Sequence, residues 1–121
     1  MATVLSVDDS RTMRQLVSFA LTDAGHVVHE AEDFDSAIVL ATAQRFDLVI
    51  SDINMPGRNG IELVRALRDL PNTRFTPILL LTTESQSALR DEGKRAGATG
   101  WIVKPFEPDQ LLETIEKILR R

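Results

Sequence analysis

Short runs of apolar and β-branched residues alternate with stretches whose apolar positions recur every three or four residues, and the alternation repeats five times. Thr3–Val7 is a run of strand formers, followed at once by Asp8, Asp9 and Ser10. From Ser10 the spacing turns helical, placing Met13, Leu16, Val17, Ala20 and Ala24 on one face, and Gly25 is suited to end the helix. His26–Ala31 is a second, more polar strand candidate. Asp33 is placed to cap a helix that turns Ala37, Leu40 and Ala41 inward, with Ala43 at its margin. Asp47–Ser51 holds Leu48, Val49 and Ile50 in a row, as a strand covered on both faces requires.

The second half repeats the theme. Pro56-Gly57 marks a turn after Asp52, and Asn59 with Glu62 has the spacing of a capping box ahead of Ile61, Leu63, Val64 and Leu67. Pro77–Thr82 carries four consecutive apolar residues, Ile78 to Leu81, and reads as another doubly buried strand. Ser85–Ala96 predicts a polar helix with a thin stripe of Ala88, Leu89 and Ala96, ended by Gly97. Gly100–Val103 is the last strand. Pro108 then suits the first turn of a helix whose inward face is Leu111, Leu112, Ile115, Ile118 and Leu119.

Strands alternating with helices imply a parallel sheet with right-handed crossovers and helices on both faces. The expected fold is therefore α/β, a (βα)5 doubly wound parallel sheet of the flavodoxin-like kind with strand order 2-1-3-4-5. With no linker or low-complexity stretch, residues 1–121 read as a single domain.

Composition narrows the function. Hydrophobic residues make up 43% and charged ones 26%, which excludes a disordered chain. Fourteen Lys and Arg against 18 Asp and Glu leave a net charge of -4, which argues against a nucleic-acid partner. The absence of cysteine removes disulfides, thiol catalysis and Cys-ligated zinc. Apolar runs are too short for a membrane span, and residues 1–10 read as a strand and its exit rather than a signal peptide, so a cytoplasmic location is expected.

The chemistry-bearing residues fall at strand ends. Asp8 and Asp9 follow the first strand, Asp52 the third, Thr82 ends the fourth and Lys104 follows the fifth. Parallel strands bring all of these to one edge of the sheet, flanking the switch point where ligands bind. Carboxylates packed together repel unless a cation neutralises them, and Mg²⁺ does so with carboxylates and retained waters. Lys104 adds a point charge for a phosphate oxygen, and Thr82 a hydroxyl donor. A carboxylate can itself act as nucleophile in phosphoryl transfer.

Four segments, Val7-Asp8-Asp9-Ser10, Ser51-Asp52-Ile53-Asn54-Met55-Pro56-Gly57, Leu81-Thr82-Thr83-Glu84 and Ile102-Val103-Lys104-Pro105-Phe106, resemble the signature stretches of response-regulator receiver domains. The chain is most similar to stand-alone chemotaxis regulators of the CheY kind, for which the strand order above is already known. The resemblance implies roles residue by residue. Asp52 is the phosphoacceptor. Asp9 and Asp52 ligate Mg²⁺ directly, Asp8 through water, and Asn54 through its backbone carbonyl. Thr82 is the hydroxyl that moves toward the phosphoryl group, and Lys104 pairs with it. Trp101 takes the place of an aromatic or histidine that swings inward on activation. Asn54 and Glu84 tune how fast water removes the phosphate, and the Lys104–Pro105 bond is often cis. Trp101 is bulkier than the family's usual residue at its position, and Thr83 larger than the usual Ala, Gly or Ser.

By the same resemblance the phosphodonor is a sensor histidine kinase. The protein is then a signalling phosphoprotein and no enzyme beyond its own phosphotransfer and autodephosphorylation. With no output domain expected beyond residue 121, output is protein binding at the face running from about Ser85 to Leu119, the face that meets the flagellar motor switch in chemotaxis relatives. A monomer is expected. A phosphate sink or phosphorelay carrier is the alternative within this reading. A Mg²⁺-dependent phosphohydrolase with an Asp nucleophile is the alternative of another class, disfavoured because Asp8 and Asp9 are adjacent where such enzymes place Asp-x-Asp. A flavin site would need a Ser/Thr/Gly-rich cradle where this acidic pair sits. Each residue alone also has a plainer reading, such as a cap for Asp8-Asp9, a strand end for Thr82 or a partly buried surface aromatic for Trp101. His26 and His29 lack a ligand-spaced partner and read as structural.

Overall fold

The computed structural model describes residues 1–83, 85 and 87–120. Ten elements alternate: β1 (Thr3–Val7), α1 (Arg11–Asp23), β2 (Val27–Ala31), α2 (Phe34–Ala43), β3 (Leu48–Asp52), α3 (Gly60–Arg68), β4 (Ile78–Thr83), α4 (Ser87–Ala96), β5 (Gly100–Lys104) and α5 (Pro108–Leu119). The strands form one sheet in the order β2-β1-β3-β4-β5, and every pairing is parallel. This is the expected doubly wound arrangement, with element ends shifted by one or two residues. No helix among the described residues is long and apolar enough to cross a membrane.

The sheet divides two cores according to the two-residue period of its strands. Leu5, Val7, Val49, Ile78 and Leu80 point toward α2, α3 and α4, while Val4, Leu48, Ile50, Leu79, Leu81 and Ile102 point toward α1 and α5. All five residues of β3 are buried, as its unbroken apolar run requires.

Local chemistry sets several boundaries. Asp33 caps α2 as anticipated, accepting from the Ser36 amide at 2.8 Å, whereas the cap of α1 is Ser10, accepting from the Met13 amide, and not the Asp8-Asp9 pair. At α3 the capping box is complete: Glu62 N–H donates to Asn59 Oδ1 (3.0 Å) and Asn59 N–H donates to Glu62 Oε1 (3.1 Å).

Three helix faces differ from the sequence expectation. In α1 the buried residues are Val17, Ala20 and Leu21; Leu16 is 39% exposed and Ala24 is exposed. Leucines stand on two flanks of this helix, and the packing of α1 beside α5 selects the Leu21 flank. In α2, Ala43 lies exposed at the last turn. In α4 the expected Ala88 is exposed, Leu89 and Ala96 are half-buried, and Gly93 is the buried residue. The bareness of Gly93 lets α4 sit against the sheet, since a Cβ there would stand 2.6 Å from Leu80 Cδ1. His26 accepts the Ala2 amide at Nδ1 (3.0 Å), and His29 meets the Phe46 ring edge-on, both structural roles.

Candidate functional site

Strands β1 and β3 are adjacent, pairing Val7 with Ser51, so the residues just beyond them emerge side by side at the carboxyl edge. One carboxylate oxygen from each of Asp8, Asp9 and Asp52 lies within 4.8 Å of the others. Asp8 and Asp52 are buried, while Asp9 is exposed at the mouth. From β5, two strands away, Lys104 Nζ reaches Asp52 Oδ1 at 3.1 Å and Asp8 Oδ2 at 3.8 Å. The Asn54 N–H donates to Asp52 Oδ1 at 3.4 Å, and the Ser10 N–H to Asp8 Oδ1 at 2.9 Å.

Burial dominates the electrostatics. It pushes the Asp8 carboxyl above the usual carboxylate range, the Asp52 charge adding to the rise while the Ser10 amide and Lys104 oppose it. Asp52 is likewise pushed up by burial, against the pull of Lys104 and of the Asn54 amide. Lys104 is the ammonium among three carboxylates, so the cluster is short of positive charge. Asp8 Oδ2 is buried and accepts no hydrogen bond. A buried carboxylate oxygen without a hydrogen bond, met by Lys104 at 3.8 Å and set beside two other carboxylates, is the donor set that a hard divalent cation takes, and these residues fit Mg²⁺.

Thr82 follows Leu81, the in-register neighbour of Asp52 on β4. It is fully buried, and its Oγ1 has no hydrogen-bond partner. No hydrogen bond among the described residues ties it to the acidic cluster; it lies at the same edge with an unused hydroxyl. Thr83 Oγ1 lies 2.9 Å from Ser85 Oγ. Trp101 pairs in register with Leu80, is 39% exposed, and carries the Arg90 guanidinium 5.8 Å from its ring centre. The Lys104–Pro105 peptide bond is cis. Glu84 lies outside the described residues. A groove of about 400 Å³ lined by Asp9, Asn54, Met55, Pro56, Gly57 and Asn59 opens beside the cluster.

Two supporting residues had no signal in the one-dimensional pattern. Gly60 begins α3 where an added Cβ would fall 2.3 Å from the Asp52 carbonyl oxygen and 2.9 Å from Ile53 Cα, so only glycine lets the helix start this close to the site. Arg14, on the first turn and a half of α1, donates to the Asp8 carbonyl oxygen at 2.7 Å. Arginine at a helix start attracts no notice by spacing alone.

The response regulator receiver domain model matches residues 4–116, and the chain belongs to that family. Among curated relatives, it is 39% identical to the chemotaxis protein CheY of Pseudomonas aeruginosa, over 98% of this chain and 96% of the relative. It is 37% identical to protein PilH of the same organism, over 98% of each chain. The transcriptional regulatory protein ResD of Bacillus subtilis, 36% identical, is matched over only 48% of its length. Among solved structures, the chemotaxis response regulator CheY4 of Vibrio cholerae superposes with a TM-score of 0.92 at 51% identity, covering 98% of both chains.

Proposed function

We propose that this chain is a single-domain response regulator that accepts a phosphoryl group from a histidine kinase onto Asp52, with Mg²⁺, and signals through phosphorylation-dependent protein binding in chemotaxis. One observation carries the reading: the Asp52 carboxylate, at the end of a fully buried strand, lies within 4.8 Å of carboxylate oxygens of Asp8 and Asp9 and is paired to Lys104 at 3.1 Å.

In the transfer, a carboxylate oxygen of Asp52 attacks phosphorus, the P–O bond forms as the P–N bond to the donor imidazole breaks, and the imidazole leaves. Bound Mg²⁺ supplies charge stabilisation to the phosphoryl oxygens and lowers repulsion within the carboxylate set. Asp8, Asp9, Asp52 and the Asn54 carbonyl would hold it. The chain supplies the rest: Lys104 neutralises developing charge, and Thr82 offers the buried hydroxyl that now lacks a partner. A Thr82 hydroxyl drawn toward the phosphoryl group vacates volume on the α4 side of the sheet, where Trp101 waits half-exposed. By the family resemblance, Asn54 and Glu84 tune how fast water removes the phosphate. The face formed by α4, β5 and α5 is then the output surface, biased between two pre-existing conformations, and the flagellar motor switch is its partner. A cytoplasmic monomer fits this role.

The test is phosphate incorporation from acetyl phosphate in the presence of Mg²⁺. Wild-type protein takes up acid-labile phosphate and Asp52→Asn takes up none; equal labelling of the variant removes the proposal. The polar, exposed surface of α4 favours a second reading, a phosphate sink or relay carrier. Beryllofluoride-treated protein that ignores a motor-switch peptide, yet drains phosphate from a kinase shared with another regulator, would establish it.

A further inference from the structure

We infer that Arg14 is a positioning residue for the Mg²⁺ site, acting through the backbone of Asp8, and that Glu30 holds it in place. The inference rests on the reading of Asp8, Asp9 and Asp52 as a cation site.

Asp8 leaves β1 in a tight turn toward α1, and its two carboxylate oxygens face different demands. Oδ1 is committed to the Ser10 amide, and Oδ2 is turned into the cluster without a hydrogen bond. Those bonds do not settle the orientation of the peptide unit that carries the side chain. The Arg14 guanidinium does so, donating from one terminal nitrogen to the Asp8 carbonyl oxygen at 2.7 Å. A charge-assisted bond of that length is among the stronger single contacts a loop can have. The guanidinium is itself anchored: Nε lies 3.3 Å from Glu30 Oε1 on the edge strand β2, and the Arg14 side chain is only 15% exposed. The Asp8 amide in turn donates to Ala31 O at 3.1 Å, one residue beyond Glu30. Strand β2 therefore grips both ends of the Asp8 residue, directly at its amide and through Arg14 at its carbonyl.

This arrangement gives β2 a part in the site although it contributes no group to the cluster. Arg14 contacts none of the three carboxylates and so is not itself a ligand. Its effect passes through the position of Asp8, as outer groups that orient metal ligands do, and loss of such groups costs about 10- to 100-fold in metal affinity. Geometry matters to Mg²⁺ in particular, because the ion tolerates little departure from octahedral ligation.

The experiment is calorimetric titration of Mg²⁺ into wild-type protein and the variants Arg14→Gln, Arg14→Lys and Glu30→Gln, with thermal melting in EDTA as the folding control. Arg14→Gln is expected to raise the Mg²⁺ Kd about tenfold. Arg14→Lys, which keeps the charge and a donor, recovers part of the loss, and Glu30→Gln raises Kd about twofold, as for a partly exposed ion pair. Acetyl phosphate labelling then needs more Mg²⁺ but reaches the wild-type rate at saturation, a split that general loosening of the fold would not produce. Wild-type affinity in Arg14→Gln overturns the role of Arg14, as does a lowered labelling rate that saturating Mg²⁺ fails to restore. If Arg14→Gln does not fold, unchanged affinity in both Arg14→Lys and Glu30→Gln overturns it. A wild-type protein that binds no Mg²⁺ overturns instead the reading of the site beneath it.

Discussion

Helices α3 and α4 pack side by side on one face of the sheet, yet they are built in opposite ways. Helix α3 buries Gly60, Ile61, Leu63, Val64 and Leu67 and is closed at its start by a reciprocal cap. Helix α4 buries Gly93 alone among its described residues. Leu89 and Ala96 pack against the core only part-buried, and polar ties run to α3: an exposed ion pair from Arg65 to Glu92 at 3.4 Å, and a forked grip of Arg68 on the Gly97 carbonyl at 2.8 and 3.1 Å. Arg68 also donates to the carbonyls of Thr73, Arg74 and Thr76, so one guanidinium braces the loop before β4 and the far end of α4. Burial of large apolar side chains fixes an element at several kcal/mol, whereas exposed ion pairs contribute under about 1 kcal/mol. The difference teaches which helix can respond to the site: α3 is the platform on which the Asp52 loop rests, and α4 is the less deeply buried of the two among the described residues.

The comparison can be broken first by truncation. Leu63→Ala is expected to cost about 2–5 kcal/mol in urea unfolding, and Leu89→Ala on α4 less than about 1.5 kcal/mol. Equal losses would mean that α4 is anchored as firmly as α3. In the same spirit, α4 amides should exchange with solvent well before those of α3. The glycines sharpen it next. Gly60→Ala drives a Cβ into backbone and is expected to cost about 3 kcal/mol, while Gly93→Ala meets a side-chain methyl of Leu80, which can turn aside more readily than backbone, and recovers up to about 1 kcal/mol of helix propensity, for a net loss near 1. Asn59→Ala, which opens the cap of α3, should cost about 1 kcal/mol.

The smallest expected effect has the opposite sign. Asp8 and Asp52 hold their protons more tightly folded than unfolded, because burial raises both. Their contribution to stability is therefore complete below the ordinary carboxylate range and is lost as pH rises through the raised folded values. Without Mg²⁺, Asp52→Asn should raise Tm slightly at neutral pH, because the amide carries no charge to bury, with the lost Lys104 pair offsetting part of the gain. Asp33 behaves the other way: its bonds from the Ser36 side chain and amide hold it low, so its contribution is present at neutral pH and lost as pH falls into the carboxylate range. A Tm that falls in Asp52→Asn would show that the ion pair outweighs burial at the site.

Much of this was legible from local pattern. Unbroken apolar runs named β3 and β4, and Asn59 with Glu62 named the start of α3, because a strand's period and a cap's hydrogen bonds reach only two or three residues. The acidic cluster was legible at one remove, since parallel strands carry every C-terminal end to one edge. The flank of α1 was not. Leu16 and Leu21 are equally apolar, and only the neighbouring helix decides which is buried.

The order of elements, the strand cores, the caps and the identity of the acidic residues thus belong to the chain's own periodicity and side-chain chemistry. The tertiary structure alone decided that Gly60 must be bare against Asp52, that Arg14 holds the Asp8 carbonyl from β2's side, and that Arg68 grips a carbonyl 29 residues away. Each of these depends on a backbone group brought near by other elements, and a backbone carbonyl has the same chemistry at every residue, so no pattern of residue types announces it.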